Sequence, residues 1–341
     1  MNDFNPPLPP YPPAPAVPPY GYGFPPSYGL TFGQILDRIF RLVRAHLRPF
    51  MAIGLLPMAS IFGLEALIFA GLAIAGVFPH PPAQMTSRTI VTIGFSFLVI
   101  FLPIIFFVYG LYYGAATYAA LEADHGRKVT AAEAFRHGRG RIGRYAWLML
   151  LSSLFISLPI FVCITAIGIG ALMLGLMRSA NPNPAALFFL IPLAALFYLG
   201  SIVYAIFMSL RLSLAFPACV HENLTAMQAI RRSGVLTNGA KGRIFLVLLV
   251  IYAISYVAVM ILYAVGLFAF AIGALTGAGH ASLTSPITIA LAVAGVLVLL
   301  ALVFLWSAVL MAAYSTAFAV LYRDQCLRKD GPPPVQAAQP A

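Results

Sequence analysis

Six long apolar runs dominate the chain and decide which folds are open to it. They cover residues 50–78, 89–121, 145–177, 185–220, 244–279 and 286–322. Each run exceeds the roughly 20 residues that an α-helix needs to cross a bilayer core. Transmembrane β-strands have only about ten residues of alternating polarity, so the runs exclude a barrel. The pattern predicts an all-α, polytopic membrane helix bundle with six transmembrane helices.

The low charge content excludes a soluble globular protein. Charged residues make up 9% of the 341 residues and hydrophobic residues 61%, whereas soluble domains carry about 25% charged residues. So much apolar surface also excludes disorder of the bulk of the chain. Cys163, Cys219 and Cys326 are far apart and form no CxxC motif, which argues against a disulfide framework or a thiolate cluster. No cofactor or metal ion is predicted.

Lysine and arginine predict the orientation in the membrane. With six spans, 18 of the 20 basic residues fall on the side of the two termini, and only Arg88 and Arg178 fall on the other. Positive charge is concentrated on the cytoplasmic side of multi-pass proteins. We therefore expect a plasma-membrane or inner-membrane protein with both termini in the cytoplasm.

Two proline-rich tails flank the membrane region. Residues 1–29 hold 11 of the 27 prolines, and residues 331–341 form a second tail rich in proline, alanine and glutamine. Proline fixes φ and removes backbone donors, so both tails are predicted to be disordered or extended. The first tail is either a solvated spacer or a docking segment for a partner protein. No nucleic-acid partner is predicted, and the oligomeric state stays open.

A repeated Thr-x-x-Glu/Gln pattern divides residues 30–330 into three tandem units. The pairs are Thr31–Gln34, Thr130–Glu133 and Thr225–Gln228. Each pair is a capping box, in which the threonine oxygen and the Glu/Gln side chain satisfy backbone N–H groups at a helix start. A short basic amphipathic helix and an apolar hairpin follow each box. The predicted units are 31–121, 130–220 and 225–322.

Arginines of the three short helices are candidate contacts for anionic lipid headgroups. The candidates are Arg38, Arg41, Arg44, Arg48, Arg136, Arg139, Arg141, Arg231 and Arg232. A basic helix that leads directly into a span is expected to lie in the membrane interface, where guanidinium groups meet anionic headgroups. The alternative is that these arginines only enforce topology.

Glu65 is the one carboxylate near the middle of a predicted span. An ionisable group in the bilayer core is costly, so it is a functional candidate by default. It either couples to a proton or cation, or it hydrogen-bonds across the bundle as a structural residue. Close helix packing is predicted at two GxxxG sequences, Gly110 to Gly114 and Gly273 to Gly277.

Three segments, 32–50, 231–245 and 322–331, resemble a known family. The matching residues are Arg232, Ser233, Leu236, Thr237 and Gly239, followed by Tyr322, Asp324, Arg328, Lys329, Asp330 and Gly331. Over residues 30–331 the chain resembles the prokaryotic multi-pass family labelled glycerophosphoryl diester phosphodiesterase membrane domain. The resemblance implies a six-helix membrane domain. The catalytic barrel of the phosphodiesterases needs roughly 250 residues and has no counterpart here.

Two functions follow from these patterns, and neither is enzymatic. The first is a membrane module that organises lipids or partner proteins at the cytoplasmic face, indicated by the basic amphipathic helices. The alternative is a transporter or channel-like protein that uses Glu65.

Overall fold

The structure is a computed structural model that describes residues 29–74, 87–173, 184–280 and 286–331. Across these ranges the chain is almost entirely α-helical, and six of its helices are long and apolar enough to cross a membrane. The predicted all-α polytopic bundle is therefore confirmed, and the chain is a multi-pass membrane protein.

The helices follow the order of the three predicted units. The first unit contains α1 (Phe32–Ala45), α2 (Leu47–Ile74) and α3 (Ser87–Asp124). The second contains α4 (Ala131–Arg139), α5 (Ile142–Met173), α6 (Pro184–Leu212) and α7 (Ala215–His221). The third contains α8 (Ala226–Thr237), α9 (Lys241–His280) and α10 (Pro286–Lys329).

Helices α1, α4 and α8 each begin directly after the threonine of the repeated pattern. The backbone N–H of Thr31 donates to Gln34 Oε1 at 2.8 Å, and the N–H of Gln34 donates to the Thr31 hydroxyl at 3.4 Å. The third unit also forms its capping box, in which the N–H of Thr225 donates to Gln228 at 3.1 Å. In the second unit only half of the predicted box forms among the described residues: the Thr130 hydroxyl accepts from the N–H of Glu133 at 3.3 Å, without the return bond to the Glu133 side chain.

The fourth apolar run is interrupted, which the sequence analysis did not predict. Helix α6 ends at Leu212, and two residues separate it from the start of α7 at Ala215. The Ser233 hydroxyl accepts from the N–H of Leu214 at 3.2 Å and donates to the carbonyl of Arg211 at 2.7 Å, which satisfies backbone groups at the break. Pro217 fits the first turn of α7, where a missing N–H costs nothing.

Two of the spans, α3 and α10, form the centre of the bundle. Helix α3 packs against α2, α5 and α10, and α10 packs against α2, α3 and α9. A Cβ atom placed on Gly110 would lie 2.6 Å from the backbone nitrogen of Ala146, so α3 and α5 approach closely at this point. The packing predicted for Gly110 and Gly114 is thereby confirmed. Gly273 and Gly277 lie within α9, but their packing is outside what the structure describes, so that prediction stays a prediction.

The buried core lies at one end of the bundle. We call this end, formed by α1, α4, α7, α8 and the adjoining turns of the spans, the basic end. Its fully buried side chains include Ile35, Ile39, Leu148, Leu214, Leu236, Ile244 and Leu321. In the opposite halves of the spans, large apolar side chains face outward, as with Phe161 at 73% and Leu267 at 71% exposure. Lipid chains are the natural cover for such residues.

Candidate functional site: the basic end

Two buried carboxylates organise the basic end, and the sequence analysis assigned a role to neither. Asp124 closes α3 and Asp324 lies in the last turns of α10, with side chains 1% and 0% exposed. A buried carboxylate is costly unless charged or polar partners satisfy it. Each of the two binds two arginines, at least one of which comes from a distant part of the chain.

Asp124 joins the first helix to the last. Its Oδ1 atom accepts from Arg38 Nε at 2.5 Å, and its Oδ2 atom accepts from Arg323 Nη1 at 2.8 Å. Both guanidinium groups also donate to the carbonyl of Asp124, at 3.3 Å and 3.2 Å. The predicted lipid-contact residue Arg38 is thus engaged in an ion pair inside the protein.

Asp324 fixes the chain where it enters α1. Its Oδ1 atom accepts from the backbone N–H of Leu30 at 2.8 Å. Its Oδ2 atom lies 3.0 Å from Arg243 Nη1 and 3.0 Å from Arg328 Nε. Arg243 and Arg328 in turn both donate to the carbonyl of Leu30. These bonds connect residue 30 with α9 and α10.

A third network holds α8 against the end of α10. Arg232 donates to Glu222 Oε1 at 2.9 Å and forms a second ion pair with Asp330. The hydrogen bond that Arg232 donates to Asp330 raises the pKa of Arg232, and Glu222 acts in the same direction against the effect of burial. The Tyr322 hydroxyl donates to the same oxygen of Glu222 at 2.7 Å. Like Arg38, Arg232 is bound within the protein.

The other candidate arginines differ in their surroundings. Arg41 pairs with Asp37 one turn earlier on α1. Arg141 donates from Nη1 to Nε2 of His137 at 2.7 Å. The remaining candidates are exposed and form no ion pair with any described residue: Arg44, Arg48, Arg136, Arg139 and Arg231.

Exposed arginines of α1 and α8 share their surface with exposed apolar residues. On α8, Met227, Arg231 and Val235 follow at four-residue spacing, and the two apolar side chains are 45% and 57% exposed. Residues spaced in this way lie on one helix face. On α1, Phe40 is 45% exposed and lies one turn before Arg44, and Leu47 and Arg48 continue this surface into α2.

Some predicted features lie outside the described residues. Glu65 lies within α2, but its side chain is outside the described part. The two roles predicted for Glu65 therefore stay predictions. Nearly all of the proline-rich tail at 1–29, with its docking role, is likewise outside the described residues, as is nearly all of the tail at 331–341.

Sequence reasoning missed the acidic partners of the basic end, although one signal was present. The chain has only nine Asp and Glu residues, and Asp124 and Asp324 both stand at the border between an apolar run and a basic segment. Within the described ranges, no group of three or more His, Cys, Asp or Glu side chains could hold a metal ion.

Comparison with known proteins gives no relative. The chain matches no family model, no curated protein and no solved structure. The resemblance to the phosphodiesterase membrane-domain family therefore stays a prediction.

Proposed function

We propose that the protein is a non-enzymatic membrane module whose basic end faces the cytoplasm and gathers anionic lipids. The observation that carries the proposal is the pairing of exposed arginine with exposed apolar side chains on α1 and α8. A helix that lies in the interface places its apolar residues among acyl chains and its arginines among headgroups. The surface of Met227, Arg231 and Val235 has this composition.

The arginines form two groups, ion-paired and exposed, and this difference supports the same function. Arg38 and Arg232 are bound to buried or half-buried carboxylates, so their charge is satisfied inside the protein. Arg44, Arg48 and Arg231 are exposed, and their charge is available to a headgroup. The inner leaflet is rich in anionic lipid, and each arginine near its surface contributes about 1 kcal/mol to binding.

The orientation of the protein belongs to the same proposal. Cysteine-accessibility labelling of the full-length protein in cells tests it directly. Residues next to Arg88 and Arg178 should react from outside, whereas the loop between α3 and α4 should not. Labelling of that loop from outside would contradict a cytoplasmic basic end.

Lipid binding is tested with the full-length protein in nanodiscs that contain phosphatidylglycerol and phosphatidylcholine. The Arg44→Gln/Arg48→Gln variant should lose phosphatidylglycerol enrichment around the protein, at about 1 kcal/mol per arginine. The matched control is Lys128→Gln/Arg139→Gln, which removes equal charge at exposed positions outside the surface on α1 and α8. Native mass spectrometry counts the retained lipids. Equal losses in both variants would mean that only net charge matters and would refute a defined lipid surface.

A further inference from the structure

A polar cavity at the basic end lies among α3, α4, α7 and the start of α5. Its volume is about 340 Å³, within the range of small-molecule sites. Three histidines from separate segments line it, His125, His137 and His221, together with Arg141 and Asn223. We call it the imidazole cavity. The surface of exposed arginines on α1 and α8 contributes no residue to it.

Hydrogen bonds fix the tautomers of two of the imidazoles. Nδ1 of His125 lies 2.7 Å from the carbonyl of Leu121, which can only accept, so Nδ1 carries the proton. Nδ1 of His221 lies 3.4 Å from the Tyr322 hydroxyl, whose own proton goes to Glu222. In both rings Nδ1 is therefore the nitrogen that donates within the protein. The two rings are nearly parallel, with centroids 6.5 Å apart.

The third imidazole orients the arginine of the cavity. His137 stacks on Tyr118 with ring centroids 4.0 Å apart, and its Nε2 atom accepts from Arg141 at 2.7 Å. A nitrogen that accepts a hydrogen bond is unprotonated, so His137 is neutral in this arrangement. A guanidinium group has five N–H donors, and His137 uses one of them. The remaining donors make Arg141 suited to bind an anion.

Asn223 adds a further donor and an unusual backbone. It is the one non-glycine residue with positive φ, at 55°, among the described residues. Arg144 holds this conformation by donating to the backbone carbonyl of Asn223 at 3.0 Å and to its Oδ1 atom at 2.7 Å. Because Oδ1 accepts from Arg144, the amide NH₂ of Asn223 is free to donate to a ligand. Backbone conformations of this kind are concentrated at ligand sites.

The charges around the cavity favour an anion. The charged and titratable groups around the imidazoles are Tyr118, Glu122, Arg127, His137, Arg141, Arg144, Glu222 and Tyr322. Glu122 is compensated by Arg127, whose Nη1 atom is 3.1 Å from it, and Glu222 by Arg232. Arg141 and Arg144 remain, so the cavity has an excess of positive charge.

We propose that the imidazole cavity binds a phosphomonoester group, carried either by a soluble metabolite or by a lipid headgroup. Such a group presents three terminal oxygens. Arg141 and Asn223 supply donors for them, and His125 and His221 do so from Nε2 when both nitrogens of the ring carry a proton. Its second ionisation, at about pH 6, falls in the range where histidine changes charge. The cavity is larger than the phosphate alone and accommodates part of the group that carries it.

Calorimetric titration of the full-length protein with inorganic phosphate in neutral detergent is the first test. Arg141→Gln should weaken phosphate binding about 10- to 100-fold, because it removes a charged hydrogen-bond donor. The matched control is Arg136→Gln, an exposed arginine on α4 outside the cavity. The control should bind phosphate like the wild type. Equal affinity of wild type and Arg141→Gln would overturn the proposal.

A second variant keeps the test decisive if Arg141→Gln folds poorly. His125 and His221 are exposed, so His125→Gln/His221→Gln should leave the fold intact. Sulfate serves as the probe here, at one constant pH. The wild type should bind sulfate several-fold more tightly than the double variant, because the variant removes two rings that line the cavity. Equal sulfate affinities of the wild type and the double variant would refute a role for the imidazoles.

Nanodiscs distinguish the two sources of the phosphate. Phosphatidic acid carries a phosphomonoester and phosphatidylglycerol a phosphodiester. Enrichment of phosphatidic acid over an equal charge of phosphatidylglycerol, lost in Arg141→Gln, would identify a lipid headgroup. Phosphate binding without this preference would identify a soluble ligand. The absence of both phosphate binding and phosphatidic acid enrichment would overturn the proposal. The lipid surface of Arg44 and Arg48 is tested separately, by its own variant.

Discussion

The two ends of the spans are built from different interactions. At the basic end, small and polar residues are buried and buried carboxylates bind several arginines, whereas in the opposite halves the large apolar side chains face outward. Protein contacts therefore organise the basic end, and lipid covers most of the other half. Substitutions should have large effects at the first and small effects at the second.

The largest effect is expected at Asp324. Asp324→Asn leaves Arg243 and Arg328 next to each other without their shared carboxylate. Removing one partner of a buried ion network costs about 3–5 kcal/mol. Asp330→Asn, at a side chain 46% exposed, should cost under about 1 kcal/mol. Unfolding of the detergent-solubilised protein measures both. Similar losses at the two positions would show that burial does not distinguish them.

Glycine substitutions compare the two halves directly. Gly110→Ala places a Cβ atom 2.6 Å from the backbone of Ala146, which forces α3 and α5 apart and should cost about 1–3 kcal/mol. A Cβ atom on Gly168, in the opposite half of α5, meets no atom within 4 Å. Gly168→Ala should be neutral or stabilising by up to about 1 kcal/mol. Thermal unfolding of both variants tests the contrast, which fails if the two shifts have the same sign.

Glu65 decides whether the membrane-embedded part has a function of its own. A structural Glu65 would tolerate Gln, while Glu65→Leu would lose about 0.6–2 kcal/mol with an interhelical hydrogen bond. A coupling Glu65 would make Glu65→Gln fold normally but abolish proton- or ion-driven flux in proteoliposomes. Unaltered stability in both variants, with no flux in the wild type, would defeat both roles.

The smallest effect is expected from His137. Burial, followed by the nearby Arg141, lowers the pKa of His137. The unfolded chain then binds the proton more readily, so this group stabilises the fold above its ordinary pKa of about 6.5. The contribution is lost as the pH falls through the lowered pKa. The difference in melting temperature between wild type and His137→Gln should therefore shrink on acidification. A difference that grows at low pH would contradict the neutral His137.

The interruption between α6 and α7 shows where local patterns fail. Apolar character continues through residues 185–220, so hydropathy alone predicts one helix. The break depends on Ser233, which lies 19 residues after Leu214. Its hydroxyl forms hydrogen bonds with the backbone of Arg211 and of Leu214, one on each side of the break. Pro217 was the available local signal, because proline favours the first turn of a helix over its interior. A hydrogen-bond partner brought by the fold decided the outcome.

The sequence by itself determined the number of spans, the helical class and the starts of the three short helices. These features depend on the length of apolar runs and on hydrogen bonds between residues three apart, as in Thr31 and Gln34, so they can be read locally. The basic character of one end is likewise a property of composition along the chain.

Only the tertiary structure decided what each arginine does. Arg38 and Arg44 lie on one helix with the same charge, yet Arg38 reaches Asp124, 86 positions away, and Arg44 remains exposed. The gathering of His125, His137 and His221 around one cavity is equally a result of how α3, α4 and α7 pack. The residue type fixes the charge of a side chain. The partner of that charge depends on which distant residues the fold brings close and on how deeply they are buried, and no local spacing encodes this.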